Sequence, residues 1–475
     1  MILLAFFIIS ALISISIILV RNKAFAMYSS LAYALLHIAL AIHAYSHLHE
    51  TELIYFTYDT PAVLLLAVLS VLILPTLYHG FIYVKEDNPR NYSIYHAAMV
   101  ALIAFMTGAY LANGMMVLWI FVEATTLAVA ALIYHDRTET ALEATWKYVF
   151  ICSIGIAIAY IGILFLGFIY GRPDTPLLAF GSFTTMVSNA NPLYLKIAFV
   201  FVLVGFSTKM GLFPMHTVTL DAHAAAPPPV SALISTTLMN VGFLAIFRVY
   251  SLFSATQIYP FMNNALILSG IFSLLISAGY MLKAKHIKRM LAYSSLENMG
   301  LAAIALGVGG KGYYAAFLLL VLHTFSKSSL FYHMGQFRKV MGTYKLDDSG
   351  RYMRLYPAGG LILLMGMVCI LAIPPSGLFL SEFMVFNSMV IGSHWAYLII
   401  TAILLSCVIY AFSTRIMHVV FSEPRQLPDL FDPDVRISPW ESLSQFVLLG
   451  LVMLACFYQP QVLVELINGS IAGLP

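Results

Sequence analysis

Residues 1–23 read MILLAFFIISALISISIILVRNK, an apolar run that ends in Arg21 and Lys23. A helix needs about 20 apolar residues in a row to cross the hydrocarbon core of a bilayer. The run lacks the basic start and the small-residue cleavage site of a secretory signal peptide. Because Lys and Arg concentrate on the cytoplasmic side of membrane proteins, the two charges predict a first span that begins outside.

The composition of the whole chain excludes a soluble protein. Of its 475 residues, 61% are hydrophobic and only 9% are charged, whereas a soluble domain carries about 25% charged residues. The net charge of +3 is too small to indicate nucleic-acid binding. The four cysteines are widely separated in apolar runs, and no P-loop, HExxH or catalytic triad is present, so no metal, cofactor or catalytic site is expected in this chain.

Further apolar runs of similar length predict an all-α, polytopic membrane protein of about fourteen spans. Loops that follow odd-numbered spans hold most of the Lys and Arg, while the opposite loops hold Arg172 and Lys311, or three cations if Lys196 at the start of span 7 is included. This alternation predicts that both termini face outside. The expected divisions are an N-terminal three-helix segment (1–92), a first repeat (93–254), a second repeat (255–421) and a C-terminal helix (422–475).

Two predicted spans are interrupted by helix-breaking residues. Span 7 contains Lys209-Met-Gly-Leu-Phe-Pro214, and span 12 contains Ile373-Pro-Pro-Ser-Gly377. Breaks five spans apart predict two inverted five-helix repeats, spans 4–8 and 9–13, because paired interruptions are typical of transport pathways. Ordinary proline kinks are the alternative interpretation.

Ionisable residues inside predicted spans are expensive to bury and are therefore functional candidates. Glu123 lies near the centre of span 5, and Lys209 lies beside the break in span 7. Lys209 is the natural partner of Glu123, since a change in their separation would alter the proton affinity of the lysine. A purely structural ion pair would explain both residues equally well.

The second repeat carries a corresponding set of charges. His323 and Lys327 share one face of span 11 because they are four residues apart. An imidazole and an amine on one face suit a proton relay. Glu382 follows the break in span 12, where it could pass a proton to the outer surface.

Other charged candidates more often have structural roles. Lys147 and Arg248 lie towards span ends, where a snorkelling side chain is the expected interpretation. Asp221 and His223 precede a run of prolines and could line an inner entrance, while Glu297 could pair with a neighbouring cation or accept protons from inside. The remaining members of this secondary set are His216, His333, Arg415 and His418.

Five segments together resemble the antiporter-like subunits of respiratory complex I and of multi-subunit sodium/proton antiporters. They are FVEATTLAVAALI (121–133), GFSTKMGLFPMHTVTLDAHAAAPPPVSALI (205–234), KRMLAYSSLENMG (288–300), HTFSKSSLFYHMG (323–335) and PPSGLFLSEF (374–383). Residues 143–163, EATWKYVFICSIGIAIAYIGI, look most like the F component of hydrogenase-4, a subunit of group 4 [NiFe]-hydrogenase membrane arms.

The resemblance implies that Glu123, Lys209, His323, Lys327 and Glu382 form the ion pathway. Many family members carry a lysine in span 8, eight residues before an arginine, where this chain has Asn240. Asparagine has no ionisable side chain, so it cannot take up and release a proton as a lysine does. The link from the first repeat to the second would therefore depend on water with Thr236 or Thr237.

The resemblance also implies a place in a prokaryotic cell membrane, among other membrane and peripheral subunits of a respiratory or hydrogenase-type complex. Nickel–iron and iron–sulfur centres are then expected only in partner subunits, and the transported ion is a proton or sodium. One rival hypothesis is a secondary cation/proton antiporter without redox partners. Another is a structural subunit whose relay no longer conducts, which Asn240 keeps open.

Overall fold

The computed structural model describes residues 1–170, 179–180, 187, 190–424 and 437–475. Arg172, which supported the predicted loop alternation, lies outside the described residues. Most of the described residues are helical. A short antiparallel hairpin of two strands with two residues each, β1 (Thr51–Glu52) and β2 (Phe56–Thr57), lies between the second and third helices.

The first half of the chain supplies ten helices within the described residues. They are α1 (Ile2–Val20), α2 (Lys23–Ser46), α3 (Thr60–Tyr83), α4 (Pro89–Leu111), α5 (Met115–Ile133), α6 (Glu139–Tyr170), α7 (Pro192–Met210), α8 (Thr217–Ala225), α9 (Pro228–Ile234) and α10 (Thr237–Phe253), with a 3₁₀ turn at Tyr134–Asp136.

The second half supplies nine more in its described part. They are α11 (Tyr259–Met281), α12 (Ile287–Val308), α13 (Lys311–Met341), α14 (Tyr352–Leu355), α15 (Pro357–Ile370), α16 (Gly377–Ile391), α17 (Trp395–Phe421), α18 (Pro439–Leu454) and α19 (Gln461–Ile471).

The predicted all-α membrane architecture is confirmed. Within the described ranges, twelve helical stretches are long and apolar enough to cross a bilayer, with α9 and α10 counted as one. The two predicted spans that are not among them are span 12, which consists of the shorter α15 and α16, and span 14, which is the shorter α18. The count of fourteen and the inversion of the repeats therefore stay predictions, as do the predicted division points.

Both predicted breaks are present. α7 ends at Met210 because Gly211 adopts the left-handed conformation that stops a helix, and α8 begins only at Thr217. α15 ends at Ile370, and α16 restarts where the Ser376 hydroxyl accepts a hydrogen bond from the Leu378 amide.

A third interruption separates α9 from α10 at Ser235 and Thr236, and the sequence prediction missed it. Thr236 Oγ1 donates to the Ala232 carbonyl at 2.6 Å, and Ser235 Oγ donates to the same oxygen at 3.5 Å. Side-chain hydroxyls that bond back to the preceding turn compete with the helical hydrogen bonds. No proline or glycine marks the position, so the signal was the Ser-Thr-Thr cluster itself.

The chain forms two compact units. Unit 1 comprises Met1–Val230, Thr237–Ala265 and Gln461–Pro475, and unit 2 comprises Ser231–Thr236 and Leu266–Pro460. In unit 1, α6 and α7 approach so closely that a Cβ on Gly205 would lie 2.5 Å from the Ala159 amide nitrogen. In unit 2, α12 and α13 are nearly surrounded by other helices, so most of the polar residues that they carry are buried.

Candidate functional site

Lys209 is the centre of the polar cluster in unit 1. It lies in the last turn of α7, where the helix dipole favours a positive charge, and only 2% of it is exposed. Its Nζ donates to Thr126 Oγ1 of α5 at 2.8 Å and to the Tyr148 hydroxyl of α6 at 3.2 Å. The ammonium also lies 5.1 Å from the centre of the Tyr148 ring. Neutral groups of two neighbouring helices, α5 and α6, therefore hold the lysine.

Glu123 lies one turn before Thr126 on α5 and has a weaker set of contacts. Ser153 Oγ of α6 donates to its Oε1 at 3.3 Å, and its Oε2 has no hydrogen-bond partner among the described residues. Glu123 and Lys209 interact electrostatically but form no direct ion pair within the described ranges. Glu123 therefore acts on Lys209 through space, and the α5 residue in direct contact with the lysine is Thr126.

The secondary candidates of unit 1 do not all join this cluster. Lys147 is half exposed and pairs with Glu143 at 2.5 Å and with Asp221 at 3.6 Å. His216 and His223 are buried. Lys147 therefore belongs to an exposed ion cluster with Asp221, as its position near a span end suggests.

Arg248 contradicts its predicted snorkelling role. It is 7% exposed, and its guanidinium donates to both carboxylate oxygens of Asp59, at 2.5 and 3.2 Å. It also donates to the Tyr110 carbonyl at 2.9 Å and lies over the Phe180 ring at 4.7 Å. Asp59 lies more than a hundred residues away, and no local pattern could have identified it as the partner.

The residues predicted to bridge the missing span 8 lysine are buried. Asn240 and Thr237 lie on α10, and both are fully buried. The Tyr110 hydroxyl donates to the Thr237 carbonyl at 2.5 Å. An amide and a hydroxyl do not ionise near neutral pH. These side chains could therefore assist proton transfer only by hydrogen-bonding to water molecules that carry the proton.

Lys327 is the centre of a second cluster, in unit 2. It is completely buried on α13, and its Nζ donates to the Leu291 carbonyl of α12 at 2.8 Å and to Ser294 Oγ. Glu297, one turn further along α12, is 2% exposed and interacts electrostatically with both Lys327 and Glu382. Like Lys209, Lys327 has no carboxylate in direct contact within the described part of the chain.

His323 lies on the same face of α13 as Lys327, as predicted. Its Nε2 is 3.2 Å from the Ser235 carbonyl oxygen, which is available because the chain is not helical there. Thr236 Oγ1 lies 3.4 Å from Ser328 Oγ. The unpredicted break at Ser235 and Thr236 therefore presents backbone and hydroxyl groups to α13.

Several groups around the two lysines were not predicted. Thr126, Tyr148 and Ser294 each supply a hydroxyl to an ammonium. Thr126 lies three residues after Glu123, so a search for hydroxyls one helical turn from each candidate charge could have found it. Tyr148 and Ser294 come from other helices and carry no such signal. Across the described ranges, no group of three or more His, Cys, Asp or Glu side chains could hold a metal ion.

Comparison with known proteins gives consistent matches. The sequence profile of the transmembrane family described as NADH:quinone oxidoreductase/Mrp antiporter matches residues 112–408. A hydrogenase-4 component F homolog from Methylacidiphilum infernorum is 35% identical over 343 residues, which span 71% of this chain and 72% of the relative.

Two solved structures have a similar fold. One belongs to a membrane-bound sulfane sulfur reductase, described as an archaeal respiratory membrane complex, with a TM-score of 0.86 at 21% identity, covering 99% of this chain and 96% of the other. The other belongs to the Mrp complex of Dietzia sp. DQ12-45-1b, with a TM-score of 0.84 at 16% identity, covering 99% and 97%.

Proposed function

Because this chain belongs to the transmembrane family of NADH:quinone oxidoreductase and Mrp antiporter subunits, we propose that it translocates protons for a membrane-bound redox complex. It is an antiporter-like, multi-pass membrane subunit, so other membrane subunits are its expected partners. In this proposal the partners contain the nickel–iron and iron–sulfur centres and carry out electron transfer. Both termini face the outer side of a prokaryotic cell membrane.

One observation carries the proposal: two buried lysines are held by neutral oxygens, and carboxylates of the described residues lie in electrostatic range of them without contact. A structural ion pair would place a carboxylate against each ammonium, since an unpaired buried charge is costly. An amine with hydroxyl and carbonyl partners can instead release its proton and still donate hydrogen bonds. This arrangement supports transport rather than a purely structural role for Lys209 and Lys327.

The proposed sequence begins with proton uptake from inside near Lys209. Movement of Glu123 relative to Lys209 changes the proton affinity of the lysine, and the proton passes to His323 and Lys327. It leaves towards the outer side by way of Glu382. Water near Thr236, Thr237 and Asn240 replaces the lysine that many relatives have in span 8.

The test is Lys209→Met in the assembled complex, which removes the charge at nearly constant length. We expect electron transfer to persist and proton translocation to fall to about half or less, because loss of a positioned proton-transfer group slows its step by on the order of 10²-fold and closes the route through Lys209. Lys196→Met is the matched control, because Lys196 lies at the exposed start of the same helix. Equal translocation by the two variants would refute the proposed pathway.

The rival hypothesis is a secondary cation/proton antiporter without redox partners. The 35% identical relative is a hydrogenase component, which favours the redox complex. Purification of the native protein discriminates between them. Co-elution of nickel or iron–sulfur subunits supports the redox complex, and their absence together with cation-driven proton exchange would support the antiporter.

A further inference from the structure

A buried histidine outside the pathway described above lies in its own polar network in unit 2. His333 of α13 is completely buried, and its two ring nitrogens face different partners. Its Nδ1 lies 3.0 Å from the side-chain oxygens of both Gln336 and Gln445. Its Nε2 lies 3.1 Å from the hydroxyl of Tyr352, the first residue of α14.

The hydrogen bonds of Gln445 determine which nitrogen of His333 carries the proton. Gln445 Nε2 donates to the Glu441 carbonyl of α18 at 3.0 Å, so its oxygen must face the imidazole as an acceptor. Nδ1 is therefore the N–H donor, and in the neutral ring Nε2 accepts from Tyr352. Rotation of the tyrosine hydroxyl lets Nε2 receive an additional proton while every partner keeps a hydrogen bond.

The network reaches the end of the bundle that carries basic residues. Glu441 pairs with Lys339, in the last turn of α13, at 3.3 Å, and the lysine side chain is 43% exposed. Beside this network, Tyr356 stacks on His333 at a ring-centroid separation of 6.4 Å, and its hydroxyl bonds to Ser442 Oγ at 2.5 Å instead of to the imidazole. Clustered Lys and Arg indicate the cytoplasmic side, so this edge of unit 2 is the expected inner side.

In the other direction, two serines lie between His333 and the face of α13 that carries His323 and Lys327. Ser329 lies four residues before His333, about 6 Å along the helix axis, and Ser326 lies about 4.5 Å further on. Both are completely buried. Ser329 Oγ donates to the Gln445 carbonyl at 3.0 Å, and Ser326 Oγ donates to the His323 carbonyl at 3.1 Å. One water molecule between neighbouring groups would complete each of these steps.

We propose that His333 is a second proton-intake residue, which recharges Lys327 from the inner side independently of Lys209. The proposal rests on the proposed function, because it requires that Lys327 carries protons. His333 takes a proton at Nε2 from the Tyr352 side, becomes an imidazolium, and gives its Nδ1 proton to water and the serine hydroxyls. It thereby returns to the neutral ring, and the charge arrives at the His323–Lys327 face. Rotation of the ring then turns the remaining N–H back towards Gln336 and Gln445.

Three variants of the intact complex in membrane vesicles test this, each measured for protons translocated per electron. His333→Gln keeps a donor and an acceptor but cannot carry a proton, and Tyr352→Phe removes only the phenolic oxygen. Tyr356→Phe is the matched control, since its hydroxyl bonds to Ser442 instead of the imidazole. Electron transfer at the wild-type rate reports correct assembly.

We expect His333→Gln and Tyr352→Phe to lower the ratio to about half. Loss of a positioned proton-transfer group slows proton transfer by on the order of 10²-fold, which closes one of the two intake routes. The control should keep the wild-type ratio. Ratios of H333Q and Y352F equal to that of the control would overturn the proposal. Should H333Q fail to assemble, Y352F decides alone. Failure of Lys209→Met to affect translocation would instead refute the proposed function.

Discussion

Asp59 and Arg248 form an ion pair whose strength can be isolated by one substitution. Asp59 also caps α3, because its Oδ1 accepts from the Ala62 amide at 3.1 Å. Asparagine is an equally good cap, so Asp59→Asn keeps this bond and removes only the charge. The Arg248 side chain is 6% exposed and that of Asp59 is 27% exposed, so the arginine cannot recover its hydration when it loses its partner.

Removing one partner of a buried pair costs about 3–5 kcal/mol. We expect the lower end, about 3 kcal/mol, because Asp59 is partly hydrated and Arg248 retains the Tyr110 carbonyl and the Phe180 ring. The assay is the thermal unfolding midpoint of the purified protein. Asp59→Asn should lower it, and the double variant with Arg248→Met should recover most of the loss, since no unpaired charge remains. A double variant less stable than D59N would refute this reasoning.

Two further predictions concern packing and pH. Gly205→Ala should destabilise by about 1–3 kcal/mol, because its Cβ would lie 2.6 Å from that of Ala159, whereas Gly167→Ala, with open space around it, should be tolerated in the same unfolding assay. Burial lowers the pKa of His286 from 6.5 to about 4, with nearby positive charges adding to the effect. Its contribution, about 3 kcal/mol, should therefore be complete above pH 6.5 and lost as the pH falls towards 4, and His286→Asn should flatten this dependence.

The parts of the fold that follow from local chemistry were predictable. Apolar length identifies the spans, and Gly211 and the prolines near residue 374 mark two of the breaks, because glycine and proline act on the backbone at their own positions. The break at Ser235 and Thr236 depends on which way two hydroxyls turn, which tertiary contacts decide.

The buried charges of the candidate site could be predicted from the sequence, but their partners could not. An ionisable residue in an apolar run is visible at once, as with Lys209 and Lys327, since few structural roles justify its cost. The groups that solvate it come from helices distant in sequence, and hydroxyls such as that of Tyr148 are too common to stand out. Arg248 was misassigned for the same reason, because the distance to Asp59 along the chain hides the pair.

Arg248 and the two lysines of the proposed pathway are buried cations of two kinds, and the difference lies in their chemistry. Arg248 cannot lose its proton near neutral pH, so it must remain charged, and it has a two-point carboxylate partner that compensates it permanently. Lys209 and Lys327 can become neutral, and their hydroxyl and carbonyl partners accept hydrogen bonds from an amine as well as from an ammonium.

If both lysines had a purely structural role, each would be expected to contact a carboxylate directly, as Arg248 contacts Asp59. That arrangement costs the least free energy for a buried charge. Glu123 and Glu297 are instead within electrostatic range and each keeps one oxygen without a hydrogen-bond partner among the described residues. A carboxylate in that position makes the charge of the lysine depend on small changes of distance. That dependence is what a transport cycle requires and what a permanent ion pair would abolish.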